Sequence, residues 1–198
     1  MFKLLIFLIF FFSFSAFANN SVIVDTHSGW IINDTMEIGE VNKILLKKHF
    51  CINAADSGIN TTSDTFEYFL NNPETAAFLL NKFRIAKCSI MRTDTGYWAD
   101  DCAGVTVDFK EVFYNKNKKI FFGYGNFKNI FKAKGIVEIN YFFNENKHTL
   151  DYNVKTYIRL NSGFLYMISY IFKPVIIYQC QSKLDYYISR VKKFFEFQ

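Results

Sequence analysis

Three acidic residues, Asp94, Asp100 and Asp101, lie in one short stretch of the chain beside Tyr97 and Trp98. Carboxylates grouped in this way could bind a cation or act as acid and base in catalysis. Aspartate is equally common in tight turns, where its side chain bonds to nearby backbone. The chain has no GxSxG, HExxH, phosphate-loop or dinucleotide-binding pattern, and its three histidines stand far apart. The sequence therefore indicates no catalytic residue, no metal site and no cofactor, and it favours a protein that is not an enzyme without deciding the question.

A further candidate for chemistry is Glu111, which lies in a segment of alternating apolar and polar residues. Because Val107, Phe109 and Phe113 share its phase, the alternation predicts that Glu111 points toward the interior. A buried carboxylate needs a partner or a raised pKa, and either makes it a candidate site residue. The alternative is a β-bulge that turns Glu111 toward solvent.

Three hydroxyl-bearing residues, Tyr141, Tyr152 and Thr156, occupy inward positions of later alternating segments. Each offers a hydrogen-bonding group within an otherwise apolar wall, which is a composition typical of small-molecule sites. The alternative is core packing in which each hydroxyl finds a partner within the protein.

Residues 1–18 have the features of a cleaved signal peptide. Lys3 supplies a positive charge, residues 4–14 form an apolar block, and Ala16 and Ala18 are small residues before the expected cleavage point. The block is shorter than the ~20 residues that a membrane-spanning helix needs. We therefore expect residues 1–18 to be removed and the protein to work in the periplasm or as a secreted protein. The remainder divides into an N-terminal extension with the first elements of the domain, 19–62, and the main domain, 63–198.

Export affects how the four cysteines are interpreted, because an even number in an exported chain favours disulfides. A hairpin turn centred on Thr95 pairs residues whose numbers add up to 190, which places Cys88 opposite Cys102. Cys51 would then pair with Cys180. The alternative is a set of free, buried thiols.

The charge of the chain limits its partners. It carries 23 basic and 18 acidic residues, for a formal net charge of +5. The basic residues are scattered and do not form the stripe that follows a phosphate backbone. Together with export, this scatter argues against nucleic acid, whereas peripheral contact with anionic lipid headgroups stays open. The sequence does not indicate an oligomeric state.

Two short helices are predicted before the strands. Residues 65–82 show helical apolar spacing, with Asp64 and Glu67 as a capping box and a restart at Asn72 and Pro73. Upstream, helical spacing over 41–48 competes with a strand over 43–52. Residues 53–62 are rich in Asn, Asp, Ser, Gly and Thr, which predicts a loop.

Between residues 84 and 160 the apolar period is two, which predicts an antiparallel sheet with one buried and one wet face. Gly123 and Gly125 would mark a bulge or a sharp bend in one strand. Residues 163–197 return to helical spacing, which Pro174 divides into a short apolar segment and a long amphipathic helix.

This order of elements resembles the helix-grip fold of the START-like superfamily, with its Bet v 1-like and polyketide cyclase-like families. The resemblance covers roughly residues 64–195, from the tract PETAAFLLNKFRI through CAGVTVDF to YIFKPVIIYQCQSKLDYYISRVKKFF. It implies an α+β fold in which a curved antiparallel sheet wraps around a long C-terminal helix. It also implies a cavity between sheet and helix that binds lipids or other apolar molecules. The residues expected to line that cavity are Phe109, Glu111, Tyr141, Tyr152, Thr156, Ile177, Leu184 and Ile188.

The leading functional expectation is therefore an exported binding protein for a lipid or other hydrophobic small molecule. Two alternatives remain open. One is a cyclase-like or hydrolytic enzyme that would use Glu111 within the same cavity. The other is an interaction protein with a filled core, which would meet a partner or a membrane through Tyr97 and Trp98.

Overall fold

The computed structural model describes Ile31, residues 35–102, 104–127 and 131–163, and separate positions nearer the C-terminus: Met167, Tyr170, Pro174, Tyr178, Ser189, Lys192, Lys193 and Phe195. The predicted signal peptide and most of the predicted last helix lie outside the described residues. Within these ranges, no helix is both long and apolar enough to cross a membrane.

Within the described part of residues 35–160, three helices and seven strands follow one another. The first helix, α1, precedes strand β1, and helices α2 and α3 separate β1 from β2. The bounds are α1 Thr35–Leu46, β1 Phe50–Asn60, α2 Ser63–Asn71, α3 Pro73–Lys82, β2 Ser89–Thr93, β3 Gly96–Asp100, β4 Val105–Asn115, β5 Lys118–Phe127, β6 Phe131–Asn144 and β7 Thr149–Leu160.

All seven strands form one antiparallel sheet in the order β1-β7-β6-β5-β4-β3-β2. Strands β2 to β7 pair with their sequence neighbours, as the period-two pattern predicts. The first strand instead pairs with the last, with Ile52 opposite Thr156. The α2–α3 pair therefore carries the chain from one edge of the sheet to the other. The α+β class and the antiparallel sheet are confirmed.

The inner face of the sheet is the side that packs against α2 and α3. Buried side chains from β1, β4, β5, β6 and β7 alternate onto this side, where they meet Ala77 and Leu80 of α3. Phe66 and Phe69 of α2 pack against a second group of inner-face residues, which includes Tyr141 and also Phe195. Burial of these apolar groups is the main force that holds the helix pair on the sheet.

The opposite side, the outer face, departs from the predicted wet face. Val41 and Ile44 of α1 are fully buried against a second apolar cluster that includes Phe122, Ile136 and Tyr157. Two ion pairs join the first half of α1 to the sheet, from Glu37 to Lys110 and from Glu40 to Lys134, each at 2.6 Å. The sequence analysis did not predict this buried outer face, because polar residues lie among the apolar outer positions of the strands.

The ambiguous and loop-like stretches before residue 63 are now resolved. The helix ends at Leu46 and a strand begins at Phe50, so each interpretation of 41–52 is right over part of its range. The loop predicted for 53–62 is wrong, because β1 extends to Asn60 through a bulge between Asp56 and Ile59. The turn-forming residues of this stretch lie in and around that bulge.

A second bulge lies in β4, between Glu111 and Phe113. The extra residue reverses the alternation, so Phe113 belongs to the outer-face cluster and its predicted inward position is wrong. Glu111 precedes the change of phase and stays on the inner face, in register with Phe121. The bulge curves the sheet at this point.

Gly123 and Gly125 do not form a bulge, because β5 keeps an unbroken register with β6 through both residues. The reason for glycine at position 123 is close packing. A methyl group there would lie 2.8 Å from the backbone oxygen of Asp108 and 2.9 Å from Cβ of Phe109. The absence of a side chain therefore lets β4 approach β5 closely.

The predicted pair of helices is confirmed, but the cap of the first is different. The N-cap of α2 is Thr62, whose hydroxyl accepts a hydrogen bond from the backbone N–H of Thr65, so the Asp64–Glu67 capping box is wrong. Pro73 opens α3 after Asn72, as predicted. The Asn72 side chain caps nothing there and donates instead to the backbone oxygen of Tyr68.

The predicted Cys88–Cys102 pairing rests on a register that the structure corrects. The β2–β3 turn contains two residues, so Thr93 lies opposite Gly96 and the whole hairpin is shifted by one residue. Cys88, Cys102 and Cys51 are free thiols, and Cys180 lies outside the described residues. Cys88 is buried, and burial raises its pKa to about 11.

Candidate binding site on the inner face

The inner face brings together the predicted site residues that the structure describes. Phe109 and Glu111 lie on β4, Tyr141 on β6, and Tyr152 and Thr156 on β7. Tyr141 is directly opposite Tyr152, whereas Thr156 lies opposite Val137 further along the sheet. The remaining predicted lining residues, Ile177, Leu184 and Ile188, lie outside the described residues.

An ion pair occupies one end of this face. The Lys119 ammonium lies 2.9 Å from the Glu111 carboxylate and donates to the side-chain oxygen of Asn71 at 2.5 Å. The Lys119 side chain is only 2% exposed, whereas 24% of the Glu111 side chain is exposed. The Lys119 ammonium also lies over the ring of Tyr114, 4.8 Å from its centroid, and makes a cation–π contact there. Glu111 is thus an inward residue whose charge is balanced by a buried lysine.

Lys119 was not among the predicted site residues, although the sequence held a signal for it. It is two positions before Phe121, in the same phase of β5, and a lysine on an inward phase needs a buried partner. One partner of Lys119, Asn71, comes from α2, and no pattern in a single sequence shows which helix residues face a given strand.

Tyr141 anchors a second polar contact at the same end. Its hydroxyl donates to the Glu67 carboxylate at 3.2 Å, and its ring lies 5.3 Å from that of Phe66. Burial and the adjacent carboxylate raise the pKa of Tyr141 well above its usual range, and burial with the charge of Asp56 does the same for Tyr152. Both phenols therefore stay protonated, and the Tyr141 hydroxyl keeps the proton that it donates to Glu67.

Phe109 belongs to the apolar wall that continues from this polar end. Its ring stacks on Tyr97 at 5.2 Å and meets Phe121 edge-on at 6.1 Å. The Tyr97 hydroxyl donates to the backbone oxygen of Asn71, so Asn71 ties the end of α2 to both β3 and β5. Thr156 is completely buried within the same wall.

The acidic residues near the first hairpin organise turns. Asp100 accepts a hydrogen bond from the backbone N–H of Cys102 at 2.7 Å, and Asp101 accepts one from Val105 at 2.9 Å. Across the residues that the structure describes, no group of three acidic, histidine or cysteine side chains is arranged to hold a metal ion. The predicted alternative of turn chemistry accounts for Asp100 and Asp101.

Comparisons with known proteins add little to this description. No family model matches the chain, and no curated protein matches it. Among solved structures, the crystal structure of Ara h 8.0201 aligns with 71% of this chain and 98% of that chain, at 10% sequence identity and a TM-score of 0.41. A likeness at this level carries no argument, so the class is defined by the chain's own strand order: an α+β protein with a seven-stranded antiparallel sheet and a helix pair between its edges.

Proposed function

We propose that the protein binds a lipid or other hydrophobic small molecule between the inner face of the sheet and its C-terminal segment. The observation that carries the proposal is the composition of the inner face. It is an apolar wall whose polar groups, including Glu111, Lys119 and Tyr141, gather at one end. Such a face matches a ligand with an apolar body and a polar head.

The C-terminal segment is proposed to complete the site in the manner of a helix grip. Gly163, Met167, Tyr170, Pro174 and Tyr178 have helical backbone and are exposed to solvent. Further along, two contacts tie the segment to the sheet and α2. Phe195 packs 5.8 Å from the ring of Phe69, and Lys192 pairs with Asp56 at 3.3 Å.

The strand before the helix pair supports the same proposal. The START-like families open with a strand just before their paired helices, and β1 occupies that place here, next to β7. Export to the periplasm or the exterior, with peripheral contact to a membrane, completes the proposal, and the export rests on residues 1–18. An enzyme using this face would need a free titratable group there. Among the described residues, Glu111 is engaged by Lys119 and Glu67 by Tyr141.

Native mass spectrometry of the purified protein, followed by solvent extraction, tests the proposal. We expect a bound apolar molecule in the wild type, and displacement of a fluorescent fatty acid by the extract. The Tyr152→Ala variant should bind the fluorescent fatty acid about tenfold more weakly, which corresponds to the ~1.4 kcal/mol of one aromatic contact.

Tyr124→Ala is the matched control, because Tyr124 lies on the outer face and is 45% exposed. It should bind the probe as the wild type does. A wild type that is purified without ligand and takes up none of the probe would contradict the proposal. Equal loss in both variants would do the same.

A further inference from the structure

The connection between α3 and β2 carries three positive charges on the protein surface. Lys82, Arg84 and Lys87 are all exposed, and none of them pairs with a carboxylate among the residues that the structure describes. At least six other lysines do form such pairs. We call residues 82–87 the basic turn, and its charges are available to an external anion.

The basic turn is held in a compact shape by hydrogen bonds to α3. The side chain of Asn81 binds both backbone groups of Cys88, because its amide donates to the carbonyl oxygen and its oxygen accepts from the N–H at 3.2 Å. The backbone N–H groups of Ile85 and Ala86 both donate to the carbonyl oxygen of Leu80, at 2.8 and 3.3 Å. The residues between Asn81 and Cys88 therefore form one closed loop, which keeps its charges close together.

Two large aromatic side chains are exposed beside these charges. Phe83 lies between Lys82 and Arg84 and is 54% exposed, and Phe78, four residues before Lys82 on α3, is 62% exposed. Residues four apart on a helix share a face, so Phe78 and Lys82 are neighbours on the surface. Exposed apolar groups with a polar rim are typical of an interaction surface.

The surroundings of the basic turn hold little negative charge to balance it. From residue 75 to residue 93 the sequence contains no Asp or Glu. Glu74, in the first turn of α3, is half-buried, and Asp94 lies in the turn at the far end of β2. Asp100 of the neighbouring strand accepts a hydrogen bond from the backbone N–H of Cys102 at 2.7 Å. The turn therefore has an excess of positive charge that attracts an anionic partner.

The basic turn also adjoins the apolar part of the proposed inner-face site. Ala86 and Cys88, on either side of Lys87, are buried in the same apolar cluster as Val105 at the start of β4. Glu111, at the polar end of the site, lies further along β4, about 20 Å from Val105 at the rise of a β-strand. The turn and the polar end are thus at opposite ends of the inner face.

We propose that the basic turn docks the protein on the surface of an anionic lipid bilayer, with the apolar end of the inner-face site toward the membrane. The inference rests on the membrane contact of the proposed function and names the surface that makes it. Each Lys or Arg close to an anionic bilayer adds attraction, and exposed aromatic rings insert at the level of the headgroups. A polyanion without an apolar layer would use the charges alone and leave Phe78 and Phe83 in water.

Co-sedimentation with large unilamellar vesicles tests the inference. The wild type should bind vesicles of equimolar phosphatidylglycerol and phosphatidylcholine at least about tenfold more tightly than vesicles of phosphatidylcholine alone. The double variant Lys82→Glu/Lys87→Glu should lose at least about tenfold in affinity for the anionic vesicles, because two attractive charges become repulsive. Phe78→Ala should lose about tenfold, because the inserted ring is removed.

Two matched controls distinguish this surface from the rest of the protein. Lys47→Glu/Lys116→Glu makes the same change in net charge at two exposed lysines outside the basic turn, and Phe142→Ala removes a ring that is 59% exposed on β6. Both controls should bind the anionic vesicles within about threefold of the wild type, because charges more than a Debye length from the bilayer are screened.

Three outcomes would overturn the inference. They are a wild type that binds no anionic vesicles, whether or not it forms a dimer that Phe78→Ala disrupts, equal losses in the two double variants, and undiminished binding by Phe78→Ala. The fluorescent fatty acid, measured without vesicles, should bind Lys82→Glu/Lys87→Glu as it binds the wild type. A wild type that binds the fatty acid but no vesicles contradicts this surface alone, whereas one that binds vesicles but no fatty acid contradicts the inner-face site alone.

Discussion

At the scale of single residues, Lys119 is the most constrained charge that the structure describes. Its side chain is almost fully buried, and its ammonium is bonded to Glu111 and Asn71. A buried charge is tolerated only when its partners replace the water that it loses. Stability and the polar end of the candidate site therefore depend on the same three residues.

We expect Lys119→Met to lower the free energy of unfolding by about 2 kcal/mol, because it leaves the half-buried Glu111 carboxylate without a partner. The double variant Lys119→Met/Glu111→Gln should recover most of this loss, since no unpaired charge remains. Lys43→Met is the control, because the Lys43–Glu40 pair is largely exposed, and its loss should be below about 0.5 kcal/mol. Urea unfolding measures all three. Equal losses in Lys119→Met and the double variant would contradict the expectation.

Glu138 predicts a pH dependence. Burial alone would raise the pKa of Glu138, but hydrogen bonds from Lys118 and Asn140 and the charge of Lys155 outweigh it and hold the pKa below the usual 4.5. Its folded-state pKa is thus below its unfolded value. The stabilising contribution is complete above about pH 4.5 and is lost as the pH falls through the folded pKa.

The Glu138→Gln variant should therefore be less stable than the wild type at neutral pH, and the difference should shrink in acid. Urea midpoints at neutral pH and below pH ~4 give the comparison. Glu145→Gln, at an exposed position in the β6–β7 turn, should show no such change. If the difference in stability between the wild type and Glu138→Gln stays constant with pH, the charge of Glu138 is not its cause.

At the scale of elements, two glycines have opposite roles. Gly123 sits where β4 and β5 approach closely, whereas a methyl group at Gly39 in α1 would meet no atom within 4 Å. We expect Gly123→Ala to destabilise the protein by about 1–3 kcal/mol through overpacking. Gly39→Ala should stabilise it by about 0.5–1 kcal/mol, because alanine favours the helix. Thermal unfolding of both variants measures these changes. Destabilisation of similar size in both variants would contradict the expectation that the two glycines have opposite roles.

The sequence was sufficient to predict most of the strands and the helix pair, but it did not show which elements pack against one another. Alternation over 150–160 and the Asn72-Pro73 restart each depend on residues close in sequence, so a local pattern was sufficient. The outer-face packing of α1 brings Ile44 against Ile136, which no local pattern reports. The hairpin register was missed by one residue, because turns of two and three residues have similar sequences.

At the scale of the whole molecule, the candidate site depends on a connection between the sheet and the end of the chain. Phe195 is 9% exposed and packs with Tyr141 and Leu150 at the inner face. We expect Phe195→Ala to cost about 3 kcal/mol of unfolding free energy and to increase the off-rate of a bound apolar probe. Tyr178→Ala is the control, since Tyr178 is 69% exposed. Equal stability of the two variants, measured by urea unfolding, would contradict this connection.

The pairing of the first strand with the last has a consequence for synthesis. Strand β1 is complete at Asn60, but the partner that covers its edge ends only at Leu160. At 5–20 residues per second, a ribosome needs about 5–20 s to supply the intervening residues. Throughout that interval the nascent chain carries Phe50, Ile52 and Ile59 without their final neighbours. A holding chaperone acting on this segment should therefore determine how much of the newly made protein escapes aggregation.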